Sequence, residues 1–428
     1  MIGARDLALG IDIGTSGVRV AALDPMGSFV AKASATMPKP DPSRPAYLAA
    51  WVWWHATETA LKDIAAQIDL ASVAAFAVDG TSGTLLAIDD DLQPVAPPSM
   101  YNDVCAPETL SRIAGHAPRG SAALGATSAL GRAIELQAHN PEWIVHQADW
   151  IASLLTGQRP VTDENNALKT GYDPVSRCWP DWLAAAGLDA RRLPRVVAAG
   201  STISQGGMSA VARQMGFAMQ TCWVAGTTDG CAAFLATGAG RSGEAVTSLG
   251  STLVLKLLSD RPLFAPEYGI YSHRMGDMWL AGGASNSGGA ALLRHFTPET
   301  MRRLESHLDP GRPTGLDYYP LPAPGERFPI NDAKLEPRVI PRPSDDAVFL
   351  QGLLEGIASV EAMGYRRLAE LGAPPLVSVR SVGGGAANKA WTAIRQRLLG
   401  VPFESAQSEE AAAGVARLAL AALQRSPA

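Results

Sequence analysis

Twice along this chain an apolar, β-prone run breaks at glycine and hydroxyl residues and then resumes. Leu7–Leu23 reads LALGIDIGTSGVRVAAL, and Glu244–Leu258 carries AVTSLGSTLVLKLL. Each predicts strand, tight turn, strand. Asp and Gly are poor strand residues, so Asp12 at the turnward end of the first run asks for a reason. A turn rich in Gly and hydroxyls presents backbone N–H groups to an anion, and a carboxylate alongside can hold a cation. The expectation is a phosphate and metal site in a hairpin, within a supersecondary plan the chain uses twice.

The length of 428 residues predicts two or three domains with cores of their own. With 47% hydrophobic and 18% charged residues, the composition is that of a folded globular protein. A formal charge of −5 without any basic block excludes a nucleic-acid footprint. An anionic ligand then needs a metal, helix N-termini or single arginines. Asp12 follows too short an apolar run for a signal peptide or anchor, and no uninterrupted apolar stretch reaches membrane-spanning length. Cys105, Cys178, Cys222 and Cys231 form neither a CxxC pair nor a zinc spacing, so they predict reduced thiols in a cytoplasmic protein.

After the first hairpin, Phe29–Met37 reads as a third strand, Pro38–Pro45 as a loop and Ala49–Ile68 as a helix. Val73–Val78 is a strand that stops at Asp79-Gly-Thr-Ser-Gly-Thr84, and Leu85–Ile88 resumes it. Residues 104–195 read as mostly helical, with Ile144–Leu155 amphipathic and a polar loop from Asp163 to Asp173. Thr221–Ala225 is a short strand ending at Gly226-Thr-Thr-Asp229-Gly230, ahead of a helix over Cys231–Thr237. Strands over Gly269–Arg274 and Met278–Ala281 lead into a small-residue turn, Gly282–Gly289. Residues 309–346 are Pro-rich and irregular. Then come a helix over Ala347–Leu371, a strand over Leu376–Val382, the glycines 383–385, and helices over Asn388–Leu398 and Ser408–Leu423.

Several chemistries drop out. No Gly-Lys dipeptide is present, which excludes a Walker A loop, and no GxSxG elbow exists. Gly238-Ala-Gly240-Arg-Ser-Gly243 fits GxGxxG but follows a helix and precedes a strand, the reverse of a dinucleotide fingerprint. The seven histidines never pair at ligand spacing. What remains is Gly/hydroxyl turns at strand ends, the strand-end aspartates Asp12 and Asp229, and a triple glycine before a helix. Phosphoryl transfer needs this inventory: backbone donors for phosphate oxygens, a carboxylate for Mg²⁺ and a carboxylate base for the accepting hydroxyl.

In this order the motifs resemble the FGGY family of carbohydrate kinases, within the actin-like ATPase superfamily. The resemblance runs through Asp12-Ile-Gly-Thr-Ser16, Asp79-Gly-Thr-Ser82, Tyr101-Asn-Asp103, His146-Gln-Ala-Asp-Trp150, Asn166–Asp173, Gly226-Thr-Thr-Asp229, Ser248–Thr252, Gly325–Pro329 and Gly383–Trp391. It implies an α/β protein of two ribonuclease-H-like domains, each a mixed sheet flanked by helices, with an interdomain cleft. The division expected is 1–225 for sugar binding and the first phosphate loop, and 226–428 for ATP.

The resemblance also implies roles. Asp12 corresponds to the Mg²⁺-positioning carboxylate, with Gly14, Thr15 and Ser16 as the first phosphate loop. Gly250, Ser251 and Thr252 correspond to the second loop. Their Gly-Ser-Thr order replaces the Gly-Thr-Ser of many relatives and keeps the same donors. Gly384, Gly385, Asn388 and Trp391 correspond to the adenosine site. Asp229 corresponds to the catalytic base, and Asp12, Thr15, Ser16, Ser82, Asp103 and Asp229 to the sugar contacts. The Asp79–Thr84 pattern most resembles the compact kinases of D-ribulose, which implies ATP and Mg²⁺ as cofactors and a ketopentose phosphorylated at its terminal hydroxyl. D-xylulose or a polyol is the neighbouring alternative, and a nucleotide-gated actin-like binding protein the alternative of another class. Either a monomer or a homodimer is compatible with this reading, with neither nucleic acid nor membrane as partner.

Overall fold

The computed structural model describes residues 6–39 and 45–425. The expected loop at Pro38–Pro45 lies mostly outside the described residues. Two compact units divide the chain: one built from residues up to Ala236, His273–Gly276 and Glu410 onward, the other from Thr237–Ser272 and Asp277–Glu409. This corrects the expected division at residue 225. The Asp229 helix stays with the first unit, and so does the C-terminal helix Ala411–Arg425.

The first unit centres on β1 (Leu7–Ile13), β2 (Gly17–Leu23), β3 (Phe29–Thr36) and β4 (Val73–Gly80). Every residue of β1 is buried, because helices cover both faces of the sheet. β5 (Cys222–Val224) extends the sheet, and the two-residue β6 (Thr227–Thr228) continues alongside β4. The order is β3-β2-β1-β4-β5, antiparallel up to β1 and parallel from β1 to β5, with the strand Thr202–Gln205 antiparallel at the edge beyond β5.

On one face lie α1 (Trp51–Ala65) and α2 (Gln147–Thr156), where Trp53 and Trp51 meet Trp150 edge-on. The C-terminal helix covers the other face beside α4 (Asp229–Ala236); α3 (Glu164–Ala167) lies between α2 and α4 in the chain. Its run of small residues has a steric cause. A Cβ on Gly414 would stand 1.7 Å from the Ala232 carbonyl oxygen, so the two helices pack backbone to backbone.

The second unit repeats the plan. Its strands are β7 (Glu244–Leu249), β8 (Leu253–Ser259), β9 (Met278–Ser285), β10 (Ser378–Val382) and β11 (Phe403–Glu404), in the order β9-β8-β7-β10-β11 with the same alternation of directions. Each unit thus has the ribonuclease-H-like arrangement expected. α5 (Asp346–Glu370) supplies the core with Phe349, Leu353, Ile357 and Val360, and α6 (Lys389–Leu399) packs beside it. At 25 residues α5 has the length and mean hydropathy of a membrane span, but Glu355 and Glu361 interrupt its apolar run and it is a mostly buried core helix. From residue 309 to the start of α5 the chain forms only two isolated β-bridges, Tyr319 with Arg338 and Glu326 with Asp332, and it delivers Tyr318, Tyr319, Leu321 and Phe328 to this core.

Local expectations failed in five places. Ile144–Leu155 is not one helix. Trp143–His146 pairs with Leu85–Ile88 as a strand, and α2 starts at Gln147, with Asp149 accepting the His146 amide at 3.1 Å. The polar stretch from Asp163 is buried structure, the strand Val161–Asp163 followed by α3. Residues 104–195 hold only short helices, and β9 runs to Ser285 through part of the expected turn. Ile270–Tyr271 and His273–Met275 are separate pieces rather than one strand.

Candidate active site

The first unit gathers its acidic residues by register. On parallel neighbours β1 and β4, Asp12 stands opposite Asp79, and on the far side of β4 Thr227 stands opposite Asp79 as well. Two residues later Asp229 opens α4. All of these lie at the carboxyl ends of parallel strands, where open α/β sheets bind ligands. The turn into β6 needs glycine: a Cβ on Gly226 would stand 1.7 Å from the Val78 carbonyl oxygen.

Asp12 is buried and paired with Arg19 at 3.2 Å. Burial raises its carboxyl above the usual range, opposed by the Asp79 and Arg19 contacts and reinforced by the Asp229 charge. Asp79 is fully buried and neither oxygen has a hydrogen-bond partner. Burial, then the charges of Asp12 and Asp229, hold it well above the ordinary carboxylate range. Asp229 is half-buried, and its Oδ1 accepts the Gly230 amide at 2.7 Å, which leaves the other oxygen for chemistry.

Beside β4 the Thr81–Thr84 turn is held by a residue the sequence reading left without a role. Gln147 Oε1 accepts the Thr81 amide at 3.1 Å and the Thr81 hydroxyl at 3.0 Å. Thr81 and Thr84 share a hydroxyl bond of 2.6 Å, and Thr84 accepts the Tyr101 amide at 3.2 Å. The network fixes Ser82, whose buried hydroxyl has no protein partner. Such buried, unpaired groups are rare enough to call for a ligand. Asp103 is exposed and its Oδ2 accepts the Met100 amide at 2.7 Å, so part of its capacity closes its own turn. Gly14 closes the first hairpin tip by donating to Gly17 at 3.0 Å, with Thr15 and Ser16 exposed on it.

Among the described residues no three His, Cys, Asp or Glu side chains are grouped to hold a metal on their own. Mg²⁺ needs less, because it binds through one or two carboxylates plus substrate phosphates. Asp12 fits that demand.

In the second unit a cavity of about 590 Å³ is lined by Gly250, Ser251, Gly384, Gly385, Asn388 and Trp391. Six residues expected around nucleotide therefore converge; Thr252 is not among the lining. The volume suits a nucleoside. Asn388 caps α6 by accepting the Trp391 amide at 2.7 Å, and the buried Trp391 indole donates to the Leu354 carbonyl at 3.1 Å. The second hairpin tip is clasped by the Gly289 and Ala290 amides, which donate to the Gly250 and Ser251 carbonyls at 2.9 and 3.0 Å. Gly289, Leu292, Met301 and Glu305 also line the cavity and were missed in the sequence, where they look like ordinary small, core and surface residues. Arg19 carried a signal that was passed over, a lone cation inside an apolar strand.

The chain is similar to several known proteins. The xylulose kinase of Escherichia coli (strain K12) is 25% identical over 96% of this chain and 89% of its own length. The erythritol kinase of Brucella abortus (strain 2308) is 26% identical over 99% of this chain and 88% of its own. The crystal structure of a xyloylose kinase from Brucella ovis superposes with a TM-score of 0.84 at 23% identity, covering 98% of this chain and 91% of that one, and carries the same fold. Residues 245–423 match the model of the FGGY family of carbohydrate kinases, C-terminal domain. That stretch holds every residue lining the second-unit cavity, so this part of the chain is similar to the C-terminal domain of FGGY carbohydrate kinases.

Proposed function

We propose that the protein transfers the γ-phosphoryl group of ATP to the terminal hydroxyl of a ketopentose, D-ribulose first, to give D-ribulose 5-phosphate. The observation that carries this reading is the division of labour between the sites. One unit offers a nucleoside-sized cavity behind a Gly/hydroxyl hairpin tip, and the other brings Asp12, Asp79 and Asp229 to the ends of adjoining strands beside Ser82.

Asp229 acts as the base. It takes the proton of the sugar hydroxyl while the O–P bond forms and the bond from γ-phosphorus to the ADP oxygen breaks. Ser82, Asp12 and Asp103 hold the sugar hydroxyls, and Thr15 and Ser16 face the transferring phosphate. Gly250, Ser251 and Thr252 contribute the second loop, and Gly384, Gly385, Asn388 and Trp391 hold adenosine. Asp12 would hold the Mg²⁺ that accompanies ATP, which would supply charge neutralisation at the phosphates. The expected setting is the cytoplasm.

D-xylulose is the second reading, favoured by the relatives named xylulose kinase. A coupled ADP-release assay over ketopentoses and polyols, compared by kcat/KM, separates the two. The D-ribulose assignment requires the highest kcat/KM with that sugar.

A further inference from the structure

Asn165 is fully buried on α3, and its side-chain amide makes three hydrogen bonds that use both donors and the carbonyl oxygen. Its Oδ1 accepts the Arg274 amide at 2.7 Å, and Nδ2 donates to the Arg274 carbonyl at 2.8 Å and to the Thr227 hydroxyl at 3.0 Å. The first two bonds imitate a β-bridge to the His273–Gly276 segment, which joins the first unit although the chain on either side of it belongs to the second. The third reaches β6, where Thr227 stands opposite Asp79 and two residues before Asp229. Asn165 is itself held from behind: Asp163 accepts its backbone amide at 2.8 Å, the Asn166 amide at 3.2 Å and the Asn166 side chain at 2.6 Å.

Only one side chain fits these demands. The site offers an N–H donor, a carbonyl acceptor and a hydroxyl, so it needs two donors and one acceptor on a planar group of this length. A carboxylate would set an oxygen against the Arg274 carbonyl at 2.8 Å. β6 is only two residues long and paired on one side by β4, so its other restraint matters for where Asp229 stands.

We propose that Asn165 is a positioning residue for the base, fixing Asp229 through Thr227 and docking residues 273–276 with the same amide. The inference rests on the kinase reading above. A small displacement of a reacting group costs about 10²-fold in rate, so the effect falls on kcat.

The test uses the full chain with ATP and the preferred sugar. Asn165→Asp and Asn165→Ala each lower kcat at least tenfold with KM for ATP within twofold of wild type. Thr227→Val lowers kcat as Asn165→Ala does, the double variant loses no more than either single one, and Thr227→Ser restores activity. Hydrogen–deuterium exchange adds a readout independent of activity: in Asn165→Ala the amides of 226–230 exchange at least tenfold faster, while those of β7 and β8 do not change. A folded Asn165→Ala enzyme with kcat within twofold of wild type overturns the proposal, as do multiplying losses in the double variant. If the wild type phosphorylates no sugar the kinase reading fails, and the exchange rates at 226–230 still decide the clamp: unchanged protection there overturns it.

Discussion

Asp12 and Asp79 stand opposite each other on adjacent parallel strands, and only Asp12 has an opposite charge beside it, Arg19 at 3.2 Å. The two carboxyls therefore differ in environment, though burial raises both. The unpaired, fully buried one is driven toward its neutral form by burial and by the charge of the other.

Replacing Asp79 by Asn keeps the shape of a neutral acid and removes the titration. A group raised in the folded state contributes stability at low pH that is lost as pH climbs through its folded value. The wild-type chain should therefore lose more thermal stability toward alkaline pH than Asp79→Asn does. Melting curves across pH check this; equal slopes would contradict it.

Asp163 makes the same argument with a definite window. Burial, then the Asp149 charge, raise its carboxyl to about 7. Its contribution is complete below the unfolded-chain value of ~3.9 and fades as pH rises through the folded value. Denaturant titrations should show stability falling across that window, with a shallower fall in Asp163→Asn even if that variant is less stable throughout.

The proposed role of Asp229 as base is tested by Asp229→Asn. The amide oxygen can still accept the Gly230 N–H, so the helix start survives. Loss of general-base catalysis costs about 10²–10⁴-fold in kcat. KM for ATP should stay within twofold, measured in the same coupled assay.

A Cβ at Gly384 meets no atom within 4 Å, although the residue lines the second-unit cavity. Gly384→Val should then leave the melting temperature nearly unchanged while its side chain intrudes on nucleotide. KM for ATP should rise about tenfold, equivalent to 1.4 kcal/mol, with KM for sugar unaffected.

Arg395 and Glu361 form a fully buried bidentate pair at 2.6 and 2.7 Å, extended by the Thr247 hydroxyl on Glu361 and Ser381 on Arg395. Removing one partner strands the other charge. Glu361→Gln or Arg395→Met should destabilise the protein by about 3–5 kcal/mol, read from denaturant midpoints.

The hairpins, the strand carrying Asp79 and the long helix α5 were legible because their apolar periods and turn residues are local. Trp143–His146 was not, since Ile144 and Val145 in a short apolar run suit a strand or a helix equally until Leu85–Ile88 pairs with them. The Asp163–Asn166 stretch reads as loop by composition and is buried only because its polar atoms bond one another, Thr227 and Arg274. Nothing local in Ala411–Arg425 says that it packs on Gly10 and Ala232 of the first unit. The glycines and Asn388 of the cavity were found through ordered motifs, while Leu292 and Met301 carry no signal that separates cavity wall from core.

The central claim, phosphoryl transfer from ATP to a ketopentose, is tested most directly by ADP release measured with and without each sugar. The account predicts release that depends on sugar, is fastest per kcat/KM with D-ribulose and is nearly abolished in Asp229→Asn. ADP release at the same rate with every sugar and with none would contradict it.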